Sequence, residues 1–163
     1  MQSAVHRNSF RDHLRRYGPL IIWMGVIFFA SSEHFSASGT SRFIRPLFVW
    51  LFPDISEAQL VWVHFLIRKS AHFFEYLVLG LLAARAFSSS SRTWLQGSWK
   101  ATTIALIVVY AFLDEFRQSL VPSRSGSVWD SMIDIVGGLS ALVVFLYWRR
   151  RSYFQKMKRE HFN

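Results

Sequence analysis

Four long apolar segments constrain this 163-residue chain more than any other feature of its sequence. They run over residues 17–35, 71–87, 101–116 and 128–148, and each approaches the roughly 20 apolar residues that cross a bilayer as a helix. Their apolar runs lack the regular polar face that a surface helix of a soluble protein shows. The sequence therefore predicts an all-α, polytopic membrane protein with a four-transmembrane-helix bundle over residues 17–148.

Two alternatives to this interpretation stay open at the level of the sequence. All four segments contain acidic residues, so a soluble helical bundle is the first alternative. Residues 1–38 combine a basic start, a short apolar core and small residues, which is also the outline of a secretory signal. The absence of cysteine excludes disulfides, thiolate metal sites and cysteine nucleophiles under either alternative.

The basic residues are distributed unevenly around the four segments, and this asymmetry predicts their orientation. A basic arm at 1–16, the loop at 88–98 with its flanks and a basic tail at 149–163 carry 13 of the 19 Lys and Arg residues. Only two of the ten acidic residues lie with them, so this side carries +11 and the opposite side −2. Lys and Arg concentrate in cytoplasmic loops. We therefore expect a multi-pass protein of the cytoplasmic (inner) membrane with both termini in the cytoplasm.

An additional segment over residues 36–67 is predicted on the outer side. Residues 36–42 are polar and predict a turn, and residues 43–52 are apolar but too short to span, as in an interfacial or re-entrant segment. Asp54 or Ser56 is expected to cap a helix that continues into the second span, because both side chains accept hydrogen bonds from unpaired backbone N–H groups.

Ionisable and polar side chains interrupt the predicted spans, and in this topology nearly all of them lie in the outer half of the membrane. Such groups are costly in lipid and by default suggest a functional site. The second segment contributes Arg68, Lys69, His72, Glu75 and Tyr76, the third contributes Asp114, Glu115 and Gln118, and the fourth contributes Asp130 and Asp134, with Arg124 in the loop before it. We therefore predict a polar site that faces outward.

The chemistry of these residues suggests two groups of roles. An imidazole titrates near neutral pH and carboxylates can orient it, so candidate catalytic residues are His72, Glu75, Asp114, Glu115 and Asp130. Arginine and lysine hold phosphate groups, so candidate substrate-binding residues are Arg68, Lys69, Tyr76, Gln118, Arg124 and Asp134. Whether the site catalyses a reaction is left open by the sequence.

Two strings in this region resemble a known family. RKSAHFFEYLVLG at 68–80 and AFLDEFRQSLVPSRSGSVWDSMIDIVGG at 111–138 are similar to the VanZ-like family of bacterial membrane proteins, as are two serines, Ser31 and Ser32, at the end of the first segment. The resemblance covers about residues 20–145. It implies a four-span bundle in the cytoplasmic membrane, and the family name comes from a protein linked to resistance to the glycopeptide teicoplanin. An effect on glycopeptide susceptibility is what the resemblance implies.

The expected function is recognition or modification of an anionic cell-envelope lipid or of a lipid-linked wall precursor. Membrane lipids are the expected partners, nucleic acid is not, and the oligomeric state is unknown. No cofactor and no metal are predicted, although His72 and the nearby carboxylates include enough donors for Zn²⁺ or Mn²⁺ as an alternative. The main alternative is a non-enzymatic structural or interaction protein in which the polar cluster holds the helices together. Transport is a further alternative, but polar groups in one membrane half do not form a through path.

Overall fold

The computed structural model describes residues 2–32, 37–120 and 128–161, and every regular element in these ranges is a helix. In chain order the helices are α1 (Gln2–Ala30), α2 (Ala37–Leu51), α3 (Glu57–Ser88), α4 (Thr93–Gly97), α5 (Trp99–Ser119) and α6 (Val128–His161). The prediction of an all-α chain is confirmed for the described residues. The predicted spans lie on α1, α3, α5 and α6, although residues 33–35 of the first and the loop at 121–127 lie outside the described residues.

Helix α3 is the central element, since it packs against α1, α2, α5 and, most extensively, α6. Contacts between α3 and α6 progress in the same order along both helices, from Lys69 with Asp130 to Gly80 with Ala141. These two helices therefore run in the same direction. Helices α1 and α3 run in opposite directions, because Trp23 contacts Glu75 whereas the earlier Tyr17 contacts the later Ser90. Helix α1 is therefore antiparallel to α3, whereas α6 is parallel to it.

Several boundaries differ from those expected from the sequence. The turn predicted over 36–42 was wrong from residue 37 onward, because α2 begins at Ala37 and continues through Pro46 to Leu51. Ser56 is the N-cap of α3, where its hydroxyl accepts from the backbone N–H of Gln59 at 3.3 Å, and the Gln59 side chain accepts in return from the Ser56 N–H at 2.9 Å. The capped helix then continues without a break to Ser88, as predicted.

Small residues let α3 and α6 approach closely. A Cβ atom added to Gly80 would lie 2.6 Å from the carbonyl oxygen of Gly138 and 2.7 Å from the Cβ of Ala141. A Cβ on Gly137 would collide with the backbone of Phe73. The two backbones are therefore in direct contact at these levels, a geometry that only small residues at a helix interface permit.

The bundle has a mixed interior and a markedly apolar surface. Its core contains Ile27, Tyr76, Leu79 and Ile107 together with small alanines, and a second small cluster forms around Trp99 and Leu142. Large apolar side chains lie on the outside of the same helices, among them Ile21, Ile22, Phe28, Phe29, Phe74, Val109, Phe112, Phe116, Val136 and Val143. By length and composition alone, one helical stretch in the described ranges, Val128–Gln155 in α6, could cross a membrane.

Candidate functional site

A cluster of buried polar residues lies where the C-terminal ends of α1 and α5 meet the first part of α3 and the start of α6. We refer to it as the polar cluster. Its buried members are Ser31, His72, Asp114, Glu115, Gln118, Asp130, Ser131 and Asp134. Four chain segments that are distant in sequence therefore place polar groups at one level of the bundle.

The centre of the polar cluster is a contact between His72 on α3 and Asp134 on α6. The Nδ1 atom of His72 lies 3.1 Å from Oδ1 of Asp134, and both side chains are buried. A carboxylate that accepts from Nδ1 fixes the orientation of the imidazole ring and directs the other ring nitrogen elsewhere. Because His72 also lines a cavity, this pair presents an oriented imidazole at the cavity wall.

Asp114 links α5 to α1 within the cluster. The hydroxyl of Ser31 donates to Oδ1 of Asp114, and Nε2 of Gln118 donates to Oδ2 at 2.9 Å. Gln118 is one helical turn after Asp114, so this second contact is local, whereas Ser31 comes from a different helix. Both donors are neutral, and they satisfy the two carboxylate oxygens without supplying a positive charge.

Asp130 is the counterion of the two basic residues at the edge of the cluster. The ammonium group of Lys69 donates to Oδ1 of Asp130, while Nη2 of Arg68 lies 3.8 Å from Oδ2, beyond hydrogen-bond distance. Asp130 is buried, but the side chain of Arg68 is 30% exposed. Lys69 is therefore occupied by Asp130, and Arg68 has donors that can reach a ligand.

A cavity of about 140 Å³ adjoins the polar cluster on the side of α2. Its wall combines apolar residues with Arg68, His72, Glu75, Ser31, Gln118 and His64. Sites for drug-sized ligands are roughly 300–1,000 Å³, so this one suits a small polar group such as a phosphate. His72, although buried, is one of the residues that line the cavity.

The candidate residues from the sequence occupy different positions around this cavity. Arg68, His72, Glu75 and Gln118 line it, whereas Asp114, Asp130 and Asp134 lie behind the lining residues and contact them. Lys69 is at the edge, and Glu115 is buried on α5. Tyr76 is fully buried in the core together with Leu79 and Ile107 and is not among the residues that line the cavity. Arg124 lies outside the described residues.

The candidate site residues chosen from the sequence did not include Ser31 or His64. The hydroxyl of Ser31 donates to Asp114, and Ser31 and His64 both line the cavity. The sequence signal for Ser31 was its place at the end of the first apolar segment, next to Ser32. His64 gave a weaker signal, because it precedes the span and only the unbroken α3 helix brings it to the cavity.

Three buried donors within the cluster have a spacing that can hold a metal ion. His72, Asp114 and Asp134 each offer one ligand atom, and these atoms all lie within 4.8 Å of one another. The donors come from α3, α5 and α6, so an ion at this position would join three helices.

A comparison with protein-family models decides the family. The VanZ/LLP1 model matches residues 17–149, which is most of the chain and includes every described residue of the polar cluster. The chain belongs to the VanZ/LLP1 family. Searches of curated proteins and of solved structures each found no match. Membership of the VanZ/LLP1 family, together with the apolar helix α6, identifies a membrane protein and confirms the resemblance seen in the motifs of α3, α5 and α6.

Proposed function

We propose that this VanZ/LLP1 protein is a four-span protein of the cytoplasmic membrane that recognises the anionic headgroup of a cell-envelope lipid or lipid-linked wall precursor. The cavity beside the polar cluster is the binding site. The observation that carries the proposal is an opening lined by Arg68 and His72 in a bundle whose outer surface is apolar.

The distribution of polar and apolar side chains supports the membrane part of the proposal. In α5, Asp114, Glu115 and Gln118 are buried, whereas Phe112 and Phe116 are more than half exposed. Water would favour the reverse arrangement, because exposed apolar surface costs about 25 cal/mol per Å². In a bilayer the exposed phenylalanines contact acyl chains and the carboxylates face the bundle interior. Helix α5, with 21 residues, is about 31 Å long, which matches the hydrocarbon thickness.

The charge distribution of the sequence supports the orientation. Tyr17, which follows the arm, contacts Ser90 in the 88–98 loop, and Arg149, at the start of the tail, lies over the ring of Trp99. These basic regions therefore adjoin the end of the bundle opposite the polar cluster. The basic ends belong on the cytoplasmic side, so the cavity opens toward the outer side. An anionic headgroup in the outer leaflet would lie at the same depth as Arg68.

Arg68 is the residue that selects an anionic group in this proposal. Within the described residues its guanidinium group makes no hydrogen bond, and its ion pair with Asp130 is long, at 3.8 Å. A planar guanidinium group binds phosphate oxygens in a bidentate manner. His72 on the same wall adds a second donor and, because Asp134 orients its ring, a group capable of proton transfer. The same site could therefore also modify the lipid that it binds, with His72 as the group that transfers the proton.

Native mass spectrometry of the full chain in mild detergent tests the binding site. The probes are phosphatidylglycerol and a polyprenyl phosphate, with zwitterionic phosphatidylcholine as the reference lipid. A hydrogen bond to a charged group contributes about 1.5–3 kcal/mol, so Arg68→Ala should weaken retention of both anionic lipids at least tenfold. The matched control is Arg85→Ala, an exposed arginine on the same helix, 17 residues away and roughly 25 Å along its axis.

The outcome also separates binding from a purely structural role of the cluster. The contacts of Ser31 with Asp114, of Lys69 with Asp130 and of His72 with Asp134 join four helices, which favours structural cohesion as the second candidate function. Under that alternative Arg68→Ala and Arg85→Ala retain anionic lipid equally. Under the proposal only Arg68→Ala loses it, while both variants keep the thermal stability of the parent protein. A glycopeptide susceptibility assay on the same pair of variants tests the phenotype that the family name suggests.

A further inference from the structure

The innermost part of the polar cluster contains more negative than positive groups. Asp114 and Asp134 are both buried, and the two neighbouring cations, Lys69 and Arg68, are directed to Asp130. Asp114 receives hydrogen bonds only from the neutral donors Ser31 and Gln118 within the described residues. Burial of an ionised carboxylate is costly unless a cation or several donors compensate it.

Two acceptor atoms in the same place have no hydrogen-bond partner among the described residues. Oδ2 of Asp134 is one of them, and the side chain of Asp134 is 0% exposed. Oε1 of Gln118 is the other, on the amide group whose Nε2 donates to Asp114. Buried polar groups are nearly always satisfied, and an exception calls for a specific explanation such as a bound ion. Both atoms accept and cannot donate. The buried hydroxyls of Tyr76 and Ser131 also have no partner among the described residues, but a hydroxyl brings no positive charge to the two carboxylates. A cation is the partner that would also compensate their charge.

The spacing of the donor atoms fits a single metal ion. Ligand atoms about 2.1 Å from one ion lie roughly 3.0–3.4 Å apart at neighbouring coordination positions. The 3.1 Å between Nδ1 of His72 and Oδ1 of Asp134 falls in this interval, so the same geometry serves a hydrogen bond or two ligands of one ion. The third donor, from Asp114, lies within 4.8 Å of both and needs only a small side-chain adjustment.

We propose that His72, Asp114 and Asp134 bind a divalent transition-metal ion, Mn²⁺ or Zn²⁺, beneath the wall of the cavity. An imidazole with two carboxylates suits these ions, whereas Mg²⁺ and Ca²⁺ prefer oxygen ligands alone. Ser31 and Gln118 both line the cavity and contact Asp114, so they separate the ion from the cavity and position its ligand. This site goes beyond the lipid proposal and does not require it. When the ion is bound, His72 is a ligand, so the proton-transfer role belongs to the metal-free protein.

Titration of the chelator-treated full-length protein with Mn²⁺, followed by electron paramagnetic resonance, tests the site. We expect one Mn²⁺ per chain, with Zn²⁺ displacing it, and a nitrogen coupling from the imidazole of His72. Loss of an outer-shell partner alone weakens metal affinity 10–100-fold, so Asp134→Asn, which removes a ligand charge, should weaken Mn²⁺ binding at least tenfold. The matched control is Asp54→Asn, an exposed carboxylate in the connection between α2 and α3 that should leave binding unchanged.

The outcomes distinguish a specific metal site from non-specific metal binding by acidic side chains and from misfolding of the variant. Equal Mn²⁺ binding by the parent protein, Asp134→Asn and Asp54→Asn would overturn the proposal, as would the absence of stoichiometric Mn²⁺ and Zn²⁺ on the parent protein. If Asp134→Asn fails to fold, the nitrogen coupling in the parent protein decides: its presence supports His72 as a ligand and its absence refutes the site. Lipid retention measured on the same samples is independent, so failure of either proposal is visible without the other.

Discussion

The contact between α3 and α6 leads to a quantitative prediction for Gly80→Ala. The new Cβ atom would lie 2.6 Å from the carbonyl oxygen of Gly138 and 2.7 Å from the Cβ of Ala141. Neither neighbour is the end of a flexible side chain, so relief requires the two helix backbones to separate by several tenths of an ångström. The same helices hold the contacts of Lys69 with Asp130 and of His72 with Asp134, which such a separation would stretch.

The magnitude follows from two opposing effects. Overpacking of a well-packed interior lowers the free energy of unfolding by about 1–3 kcal/mol. The better helix propensity of alanine offsets about 0.5–1 kcal/mol of this. The net expectation for Gly80→Ala is therefore a loss of roughly 1–2 kcal/mol.

Gly25→Ala is the matched control for this experiment. Gly25 lies in α1, and a Cβ added there would meet no atom of the described residues within 4 Å, apart from its chain neighbours and the backbone of its own helix. Only the propensity effect remains, so Gly25→Ala should be neutral or more stable by up to about 1 kcal/mol. Reversible unfolding of both variants in mixed detergent micelles measures the difference. Gly80→Ala as stable as Gly25→Ala would refute the close approach of α3 and α6.

Two further predictions concern the polar contacts between helices. Asp130→Ala should lower the free energy of unfolding by about 1–3 kcal/mol, which is less than the loss for a fully buried ion pair because Lys69 is partly exposed. Adding Lys69→Met to Asp130→Ala should restore part of this loss. Denaturation of the single and the double variant, with Asp54→Ala as the control, measures the effect, and no recovery in the double variant would argue against the pair. Trp23→Phe removes the 2.9 Å hydrogen bond from Nε1 to the carbonyl oxygen of Glu75 and should lower the free energy of unfolding by about 0.6 kcal/mol, plus the loss from poorer packing. An unchanged free energy of unfolding, with unchanged fluorescence from the other six tryptophans, would contradict that hydrogen bond.

Much of the helical organisation could be predicted because apolar run length and capping residues are local signals. Ser56 caps α3, and the helix it starts runs unbroken into the second apolar segment. The clustering of polar groups could also be anticipated, because residues such as His72 and Asp134 are expected at the same depth once the topology alternates. Their direct contact agrees with that reasoning, while their chemical roles stay predictions.

Other features depend on tertiary contacts or on weak local preferences that the pattern does not decide. The segment after residue 36 is rich in Ser and Gly, yet α2 begins at Ala37 and contacts α3. Helix α6 continues into the basic tail as far as His161, because Arg, Lys and Gln are good helix formers even without a packed face. The partner of Asp130 could not be chosen from the sequence alone, because Arg68, Lys69 and Arg124 were all candidates. The packing of α3 on α6 brings Lys69 to Asp130.

The central claim is that the polar cluster and its cavity face the outer side of a four-span bundle. The chain contains no cysteine, so single cysteines can report topology without a background. Asp54→Cys lies in the connection next to the cavity side, and Ser91→Cys lies in the opposite loop; both positions are exposed. In right-side-out membrane vesicles, a membrane-impermeant maleimide should label Asp54→Cys at once and Ser91→Cys only after permeabilisation. Labelling of Ser91→Cys in intact vesicles, or equal labelling of both, would contradict the account.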